Sequence, residues 1–345
     1  MKRLIFLFIT VLIIEADADA QSKLLKKYYY WVNKAELAIC DSNYQEASDC
    51  YDKAFSFHRP FAKDASFAFK VNYQYLNNAE RCLDCFKYLA QMGDEVDWYV
   101  NDTLKNVGLL KQMKRMSDTT KCLLNPGLAT ALLEISRSDQ AVRWQQYEDQ
   151  ATAFAAFRKM DSINLIKIKE IYKTYPEISD YTAGTSPILC AFYTHVSKAF
   201  LFDPKTILLK DVRKGILSAN QYAFYEDEWK CMYIDVQLGD SNNTIYGTNA
   251  YFIFMIDSLA FFLEPNNVKK INKERKRIGL SETWGDFIKK AKYVYTHDTE
   301  FHFIPRSNLW YLPEEAAAEI EERVKAINNG ECKGSYFVVP KELRL

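Results

Sequence analysis

Residues 28–60 carry the pattern that most restricts how this chain can fold. Small residues, Ala35 and Ala47, stand where two antiparallel helices would have to approach closely, and the rings of Trp31 and Tyr51 fall where they would fill the space between neighbouring pairs. Such a unit buries its apolar face on the next one, so it is not stable alone. We therefore expect a short stack of helices that packs its apolar face against the rest of the protein.

The same segment resembles a tetratricopeptide repeat. The matching positions are Trp31, Ala35, Ala38, Tyr44, Ala47, Tyr51 and Ala54. A second unit at 61–93 fits the pattern loosely. The resemblance implies a protein or peptide partner that binds through the helical repeat, but the same stack can also serve as a packing scaffold that needs no ligand. The sequence leaves both alternatives open.

The scarcity of glycine and proline extends the helical prediction to the whole chain. Only 11 Gly and 9 Pro occur in 345 residues, whereas 15% of the residues are aromatic, which favours long helices packed through large side chains. The runs at 251–256 and 259–263 are rich in strand-forming residues and predict one β-hairpin. The predicted fold class is mainly α, with tetratricopeptide-like helical hairpins packed on a helical domain that carries this small hairpin.

Turn-forming residues and changes in composition predict how the chain divides into segments. We expect a signal peptide at 1–20, the repeat-like helical segment at 21–124, the helical domain with the hairpin at 125–295, and a C-terminal extension with one helix at 296–345. The Asn-Pro-Gly sequence at 125–127 marks the boundary between the two helical parts.

Residues 1–20 have the form of a secretory signal peptide. A basic start precedes an apolar run from Leu4 to Ile14 that is too short to span a bilayer, and small residues follow at Ala18 and Ala20. The sequence therefore predicts a periplasmic or secreted protein with no membrane span after signal cleavage. With 45 basic and 45 acidic residues, the chain lacks the charge excess of a nucleic-acid-binding protein, so no nucleic-acid partner is predicted.

The cysteines and histidines give no clear metal or redox site. Eight cysteines are scattered along the chain, and we interpret most of them as small packing residues whose pairing stays open. A zinc site from His297, Asp298, Glu300 and His302 is conceivable, but the same segment also fits an alternating strand or loop. We predict neither a metal nor a cofactor.

Polar residues interrupt the apolar faces of four predicted helices. Asp139, Gln140 and Arg143 share one such face, and the others hold Asp161 with Asn164, His195, and Tyr222 with Asp227. A buried polar group without a partner costs about 1–3 kcal/mol, and a charged one costs more. The sequence therefore predicts that these groups meet in one network.

The ordered run of motifs between residues 128 and 292 resembles the bacterial domain-of-unknown-function family numbered 6624. The matching residues are Leu132, Leu133, Glu134, Asp139, Gln140, Arg143, Asp161, His195, Gly215, Tyr222, Ala223, Asp227, Tyr246, Gly247, Thr248, Asn249, Asn272, Arg275, Gly279 and Leu280. Asn249 replaces the Gln of the family pattern, so any contact made by that Gln is in doubt. The family has no established activity, and the resemblance implies a candidate site without a chemistry.

Two functions follow from these observations. The leading hypothesis is a non-catalytic interaction or ligand-binding protein with a buried polar network, in which Asp139, Gln140, Asp227, Tyr246, Gly247, Thr248, Asn249 and Arg275 are the predicted binding residues. It is motivated by the repeat and by the lack of any Gly-x-Ser-x-Gly, His-Glu-x-x-His or phosphate-loop sequence. The alternative is a hydrolase or lyase in which His195 is the general acid or base, Asp161 orients it, and Arg143 holds an anionic substrate group. Tyr222 or Thr248 would shuttle a proton or bind an oxygen.

Overall fold

The computed structural model describes a mainly helical protein, which confirms the predicted class. It describes residues 23–94, 107–184, 204–230, 245–246, 248, 253–256, 259–263, 268–297, 301–303, 310–311, 322, 325, 328–330 and 334–338. The predicted signal peptide and most of the predicted C-terminal helix lie outside these residues. No helix in the described ranges combines the length and the apolar character that crossing a membrane requires.

The N-terminal helices contribute buried residues to one hydrophobic core. They are α1 (23–40), α2 (Tyr44–Phe57), α3 (Ala62–Lys70) with a π-helical turn at Val71–Tyr75, α4 (Ala79–Gln91) and α5 (Val107–Thr119). Asn43 and Asn78 cap α2 and α4, because each side chain accepts a hydrogen bond from a backbone N–H in the first turn. Ala35, Ala47 and Tyr51 are completely buried.

A second group of helices follows the Asn-Pro-Gly sequence. It comprises α6 (Pro126–Arg143), α7 (Gln150–Thr174) and the short α8 (Asp180–Ala183). Pro126 occupies the first turn of α6 and the Asn125 side chain caps it, which is the arrangement that the sequence favours. The group is joined to the N-terminal helices, since the backbone N–H of Ala62 donates to Asp180 at 2.8 Å.

The C-terminal part combines helices with a small sheet. The helices are α9 (Pro204–Arg213), α10 (Ala219–Lys230), α11 (Val268–Arg277) and α12 (Trp284–Thr296), and the strands are β1 (Ile253–Ile256), β2 (Leu259–Leu263), β3 (Trp310–Tyr311) and β4 (Gly334–Val338). The strand order is β3-β1-β2-β4. β1 and β2 pair antiparallel, with Ile253 opposite Phe262, and β3 runs parallel to β1.

Helix α1 packs against α11, α12 and the segment between them as well as against α3. The hydroxyl of Ser281 donates to the backbone oxygen of Tyr29 at 2.9 Å, and Lys289 lies 2.6 Å from Asp41. On its other side, the hydroxyl of Tyr28 donates to Asp64 of α3. The first helix therefore links the N-terminal and the C-terminal parts of the described structure, and the cleft described below lies at this junction.

Candidate functional site

A cleft of about 240 Å³ lies where α1, α9, α10, α11 and the segment 245–246 meet. Its aromatic lining consists of Tyr29, Tyr222 and Tyr246. Gly279 ends α11 with φ +98°, a conformation that side-chain-bearing residues rarely adopt, and it brings the chain against the ring of Tyr29. Tyr222 and Tyr246, which the sequence analysis assigns to a site, thus share one cavity.

The three tyrosines form buried walls of the cleft. Tyr222 and Tyr246 are 1% and 5% exposed, and their rings pack edge to face at 5.9 Å. The Tyr29 hydroxyl accepts a hydrogen bond from the backbone N–H of Ala219 at 2.9 Å. Burial raises the pKa of Tyr29 and of Tyr246 well above the usual tyrosine range, although a hydrogen bond from Tyr222 partly offsets the effect at Tyr246. Both hydroxyls therefore keep their protons at neutral pH.

Charged side chains surround the mouth of the cleft. Lys26, Arg213 and Arg277 are exposed lining residues, and Glu274 is the acidic lining residue. The guanidinium of Arg277 lies 3.4 Å from the Glu274 carboxylate. Basic groups outnumber acidic groups by two, so the mouth has a positive field that attracts anions.

Asp227 fixes the chain segment that carries Tyr246. Its carboxylate is fully buried and accepts hydrogen bonds from the backbone N–H groups of Ile245 (2.8 Å), Tyr246 (3.0 Å) and Thr248 (2.8 Å). The Thr248 hydroxyl donates to the same carboxylate at 2.8 Å. Asp227 and Thr248, predicted as binding residues, are thus in contact and determine the shape of one cleft wall.

Arg275 supports the same segment from the opposite side. The side chain is fully buried, and its Nη1 donates to the backbone oxygen of Tyr246 at 2.7 Å, while Nε donates to the backbone oxygen of Glu282 at 3.0 Å. It also forms an ion pair with the Glu282 carboxylate. Burial lowers the pKa of Arg275 to about 10, and nearby carboxylates including Asp227 oppose this shift. At neutral pH Arg275 remains charged and paired.

A buried ionic chain continues from Glu282 to the first helix. Lys290 lies 2.8 Å from Glu282 and also pairs with Glu36 of α1. Lys63 contacts the same Glu36 carboxylate at 2.8 Å. Lys290 and Glu36 are 1% and 2% exposed. Burial alone would raise the pKa of Glu36, but the charges and hydrogen bonds of Lys290 and Lys63 outweigh it and hold that pKa at about 2.

The sequence analysis missed Glu36, Glu282 and Lys290, although its own criterion applies to two of them. Glu36 lies in the apolar stripe of α1 beside Val32, Ala35 and Ile39, and all three of these neighbours are buried. Lys290 lies in the corresponding stripe of α12, where Phe287, Ala291 and Val294 are buried. The sequence analysis selected the polar residues of α6 and α7 because they interrupt an apolar stripe. Glu36 on α1 and Lys290 on α12 interrupt apolar stripes in the same way.

A second polar cluster joins α6 to α7. The Nε of Arg143 lies 3.0 Å from Asp139, and its Nη2 lies 2.9 Å from Asp161. Gln140 donates to Asp139 at 3.1 Å and accepts from the Trp144 indole at 3.0 Å. The structure therefore brings together the four residues of this cluster that the sequence analysis named.

Other predicted site residues fall outside the described part of the chain. His195, Gly247 and Asn249 are among them, so the prediction that His195 joins Asp161 and Arg143 stays a prediction. On helix α7, Asn164, Ile168 and Ile171 are buried, whereas Phe154 in the first turns is 49% exposed.

The cysteines and metal candidates can be assessed where the structure describes them. Cys40, Cys50, Cys82, Cys85 and Cys122 are free thiols. In the described ranges, no three or more His, Cys, Asp or Glu residues form a group that could hold a metal ion. His297 stacks on the ring of Tyr293 at 4.4 Å, and Asp298 and Glu300 lie outside those ranges.

Comparisons with protein-family models, with curated proteins and with solved structures found no match for this chain.

Proposed function

We propose that this protein is an exported, non-catalytic ligand-binding protein whose site is the tyrosine-lined cleft between α1, α9, α10 and α11. The observation that carries the proposal is the cleft itself, which has buried aromatic walls and a charged mouth. A concave, largely apolar pocket with a few polar groups is the usual form of a small-molecule site.

The support behind the cleft walls fits a binding function. Asp227 and Arg275 hold the backbone of Tyr246 from two sides by hydrogen bonds. Because the protein's own side chains hold this backbone, the wall loses little conformational entropy when a ligand binds. The carboxylate of Asp227 and the guanidinium of Arg275 serve as supports for the wall in this proposal, and the ligand contacts the tyrosines.

The tetratricopeptide-like interpretation of α1 and α2 belongs to the same proposal. It is supported by the burial of Ala35, Ala38, Ala47 and Ala54 at 5% exposure or less. Helix α1 carries Glu36 and Tyr29, which contact the C-terminal helices. This use of α1 favours the repeat as a packing scaffold over the repeat as an open peptide groove.

The enzyme alternative assigns Arg143 to an anionic substrate group. Its guanidinium already pairs with both Asp139 and Asp161, and an arginine engaged in this way is suited to clamp two helices. The geometry therefore supports the binding function better. Replacing His195 by Ala tests the alternative: an enzyme would keep its thermal stability and lose turnover.

Thermal unfolding in the presence of a small-molecule panel tests the proposed function. A ligand at 100 times its dissociation constant stabilises the folded state by about 2.7 kcal/mol, which a melting curve detects readily. The variant Leu209→Trp fills the cleft with a larger ring, because Leu209 is a half-buried lining residue. Leu110→Trp is the matched control, since Leu110 is a half-buried leucine on α5 outside the cleft.

The proposal predicts that at least one compound stabilises the wild type and Leu110→Trp but has no effect on Leu209→Trp. A panel in which no stabilisation depends on position 209 would contradict it. Far-ultraviolet circular dichroism of both variants shows whether each one is folded. N-terminal sequencing of the exported protein tests the export part, for which cleavage after Ala20 is expected.

A further inference from the structure

We infer that the ligand of this cleft is a small monocarboxylic acid with an apolar body about the size of one ring. This inference rests on the proposed function and specifies its ligand class. It combines the volume of the cleft, its apolar floor and the arrangement of charges at its mouth.

The floor of the cleft selects an apolar body. Leu25, Val212 and Ile278 are 4%, 3% and 8% exposed, and they lie among the lining residues together with the tyrosines. An apolar cavity of about 150 Å³ holds one benzene molecule. The 240 Å³ of this cleft therefore accommodates one ring with a short side chain. A peptide or a dinucleotide would exceed this volume.

The mouth of the cleft selects a negative charge. Lys26, Arg213 and Arg277 supply positive charge, and their exposed positions keep them hydrated near the entrance. A carboxylate at the mouth can accept hydrogen bonds from a guanidinium in a bidentate manner while the ring remains inside. Glu274 lies in the same lining and pairs with Arg277 at 3.4 Å, so it offsets part of the positive charge that a ligand meets there.

The tyrosines add a neutral aromatic wall to this environment. Burial raises the pKa of Tyr29 and of Tyr246, so neither side chain carries a charge that would repel an anion. The edge-to-face pair of Tyr222 and Tyr246 lies in the same lining as Tyr29, next to the basic residues of the mouth. A neutral aromatic wall beside a basic mouth matches an amphipathic acid.

Three probes that share one ring test the ligand class by isothermal titration. Phenylacetate carries one negative charge, phenylacetamide is its neutral isostere, and phenylphosphonate is a dianion at alkaline pH. We expect phenylacetate to bind about tenfold more tightly than phenylacetamide, because only the carboxylate gains from the positive charge of the mouth. The dissociation constant should also rise with salt concentration, because the mouth attracts the probe by charge.

Charge-removing variants locate the carboxylate. Arg213→Gln and Arg277→Gln should each weaken phenylacetate binding about fivefold, the scale of an exposed ion pair, and leave phenylacetamide unchanged. Lys210→Gln and Lys276→Gln are matched controls, because both lysines are exposed on the same two helices but do not line the cleft. The controls should bind phenylacetate as the wild type does.

The outcomes separate this inference from the proposed function. Equal binding of phenylacetate and phenylacetamide, lost in Leu209→Trp, would overturn the ligand class and leave the cleft as the site. Tighter binding of phenylphosphonate would also overturn the class. A third outcome is that none of the three probes binds, while another compound of the panel stabilises the wild type but not Leu209→Trp. The inference is then wrong and the proposed function stands. If Leu209→Trp abolishes the effect of no compound, the inference and the proposed function are both wrong.

Discussion

Replacing Lys290 by Met removes a cation that two buried carboxylates share. Lys290 is 1% exposed and contacts Glu36 and Glu282, so the variant leaves both acids with less compensation. Breaking a buried ion pair from one side costs about 3–5 kcal/mol. In the variant, Glu36 still contacts Lys63 at 2.8 Å and Glu282 still pairs with Arg275. The expected loss in the free energy of unfolding is therefore near the lower end of this range, at about 3 kcal/mol.

Urea unfolding of the variant measures this loss. Lys289→Met is the matched control on the same helix, because the Lys289 side chain is 45% exposed and pairs with the exposed Asp41. An exposed pair contributes at most about 1 kcal/mol, so the control should unfold nearly as the wild type does. The double variant Lys290→Met with Glu36→Gln should recover much of the lost stability, since it also removes a buried charge.

The pH dependence provides a second test of the same reasoning. Without Lys290, burial dominates at Glu36 and raises the pKa of that carboxyl above its present value of about 2. The destabilisation by Lys290→Met should therefore be larger at pH 7 than at pH 4, where Glu36 can bind a proton. A loss for Lys290→Met no larger than that for Lys289→Met would refute the buried-charge reasoning.

The remaining predictions concern Asp227, the buried acids Asp64 and Asp180, and the pair of Arg143 with Asp139. Asp227→Asn should destabilise the protein by about 1–3 kcal/mol, because the amide nitrogen would face backbone donors, and it should weaken cleft binding measured by titration. Burial raises the pKa values of Asp64 and Asp180 to about 6, so the folded state binds more protons than the unfolded state between about pH 4 and 6. The free energy of unfolding should therefore decrease as pH rises through this window. A free energy of unfolding that stays constant across the window would contradict this prediction. Arg143→Met should cost about 1–3 kcal/mol of stability in urea unfolding, since Asp139 is 4% exposed and loses a partner, whereas the exposed Arg137→Met should change little.

The helical class and part of the polar clustering follow from local sequence patterns. Apolar periodicity assigns a face to each helix, and on α6 and α7 Arg143 contacts both Asp139 and Asp161, which are among the groups that the sequence analysis expected to meet. The spacing of residues on one helix shows which side chains share a face. It does not show which distant element covers that face.

The buried chain from α1 to α12 shows this limit. Glu36 and Lys290 are 254 positions apart, and neither stripe indicates that the other is its partner. The cleft depends on the same long-range packing, because Tyr29 meets Tyr246 only when α1 lies against α11. Strands β3 and β4 were also not predicted, since short segments at sheet edges have weak patterns of their own.

A crystal structure of the protein grown with phenylacetate tests the central claim most directly. The account predicts electron density for the ring in the cleft, against Leu25 and Val212, with the carboxylate at the mouth near Arg213 or Arg277. Density for the probe at another site, with the cleft filled by side chains of the protein itself, would contradict it.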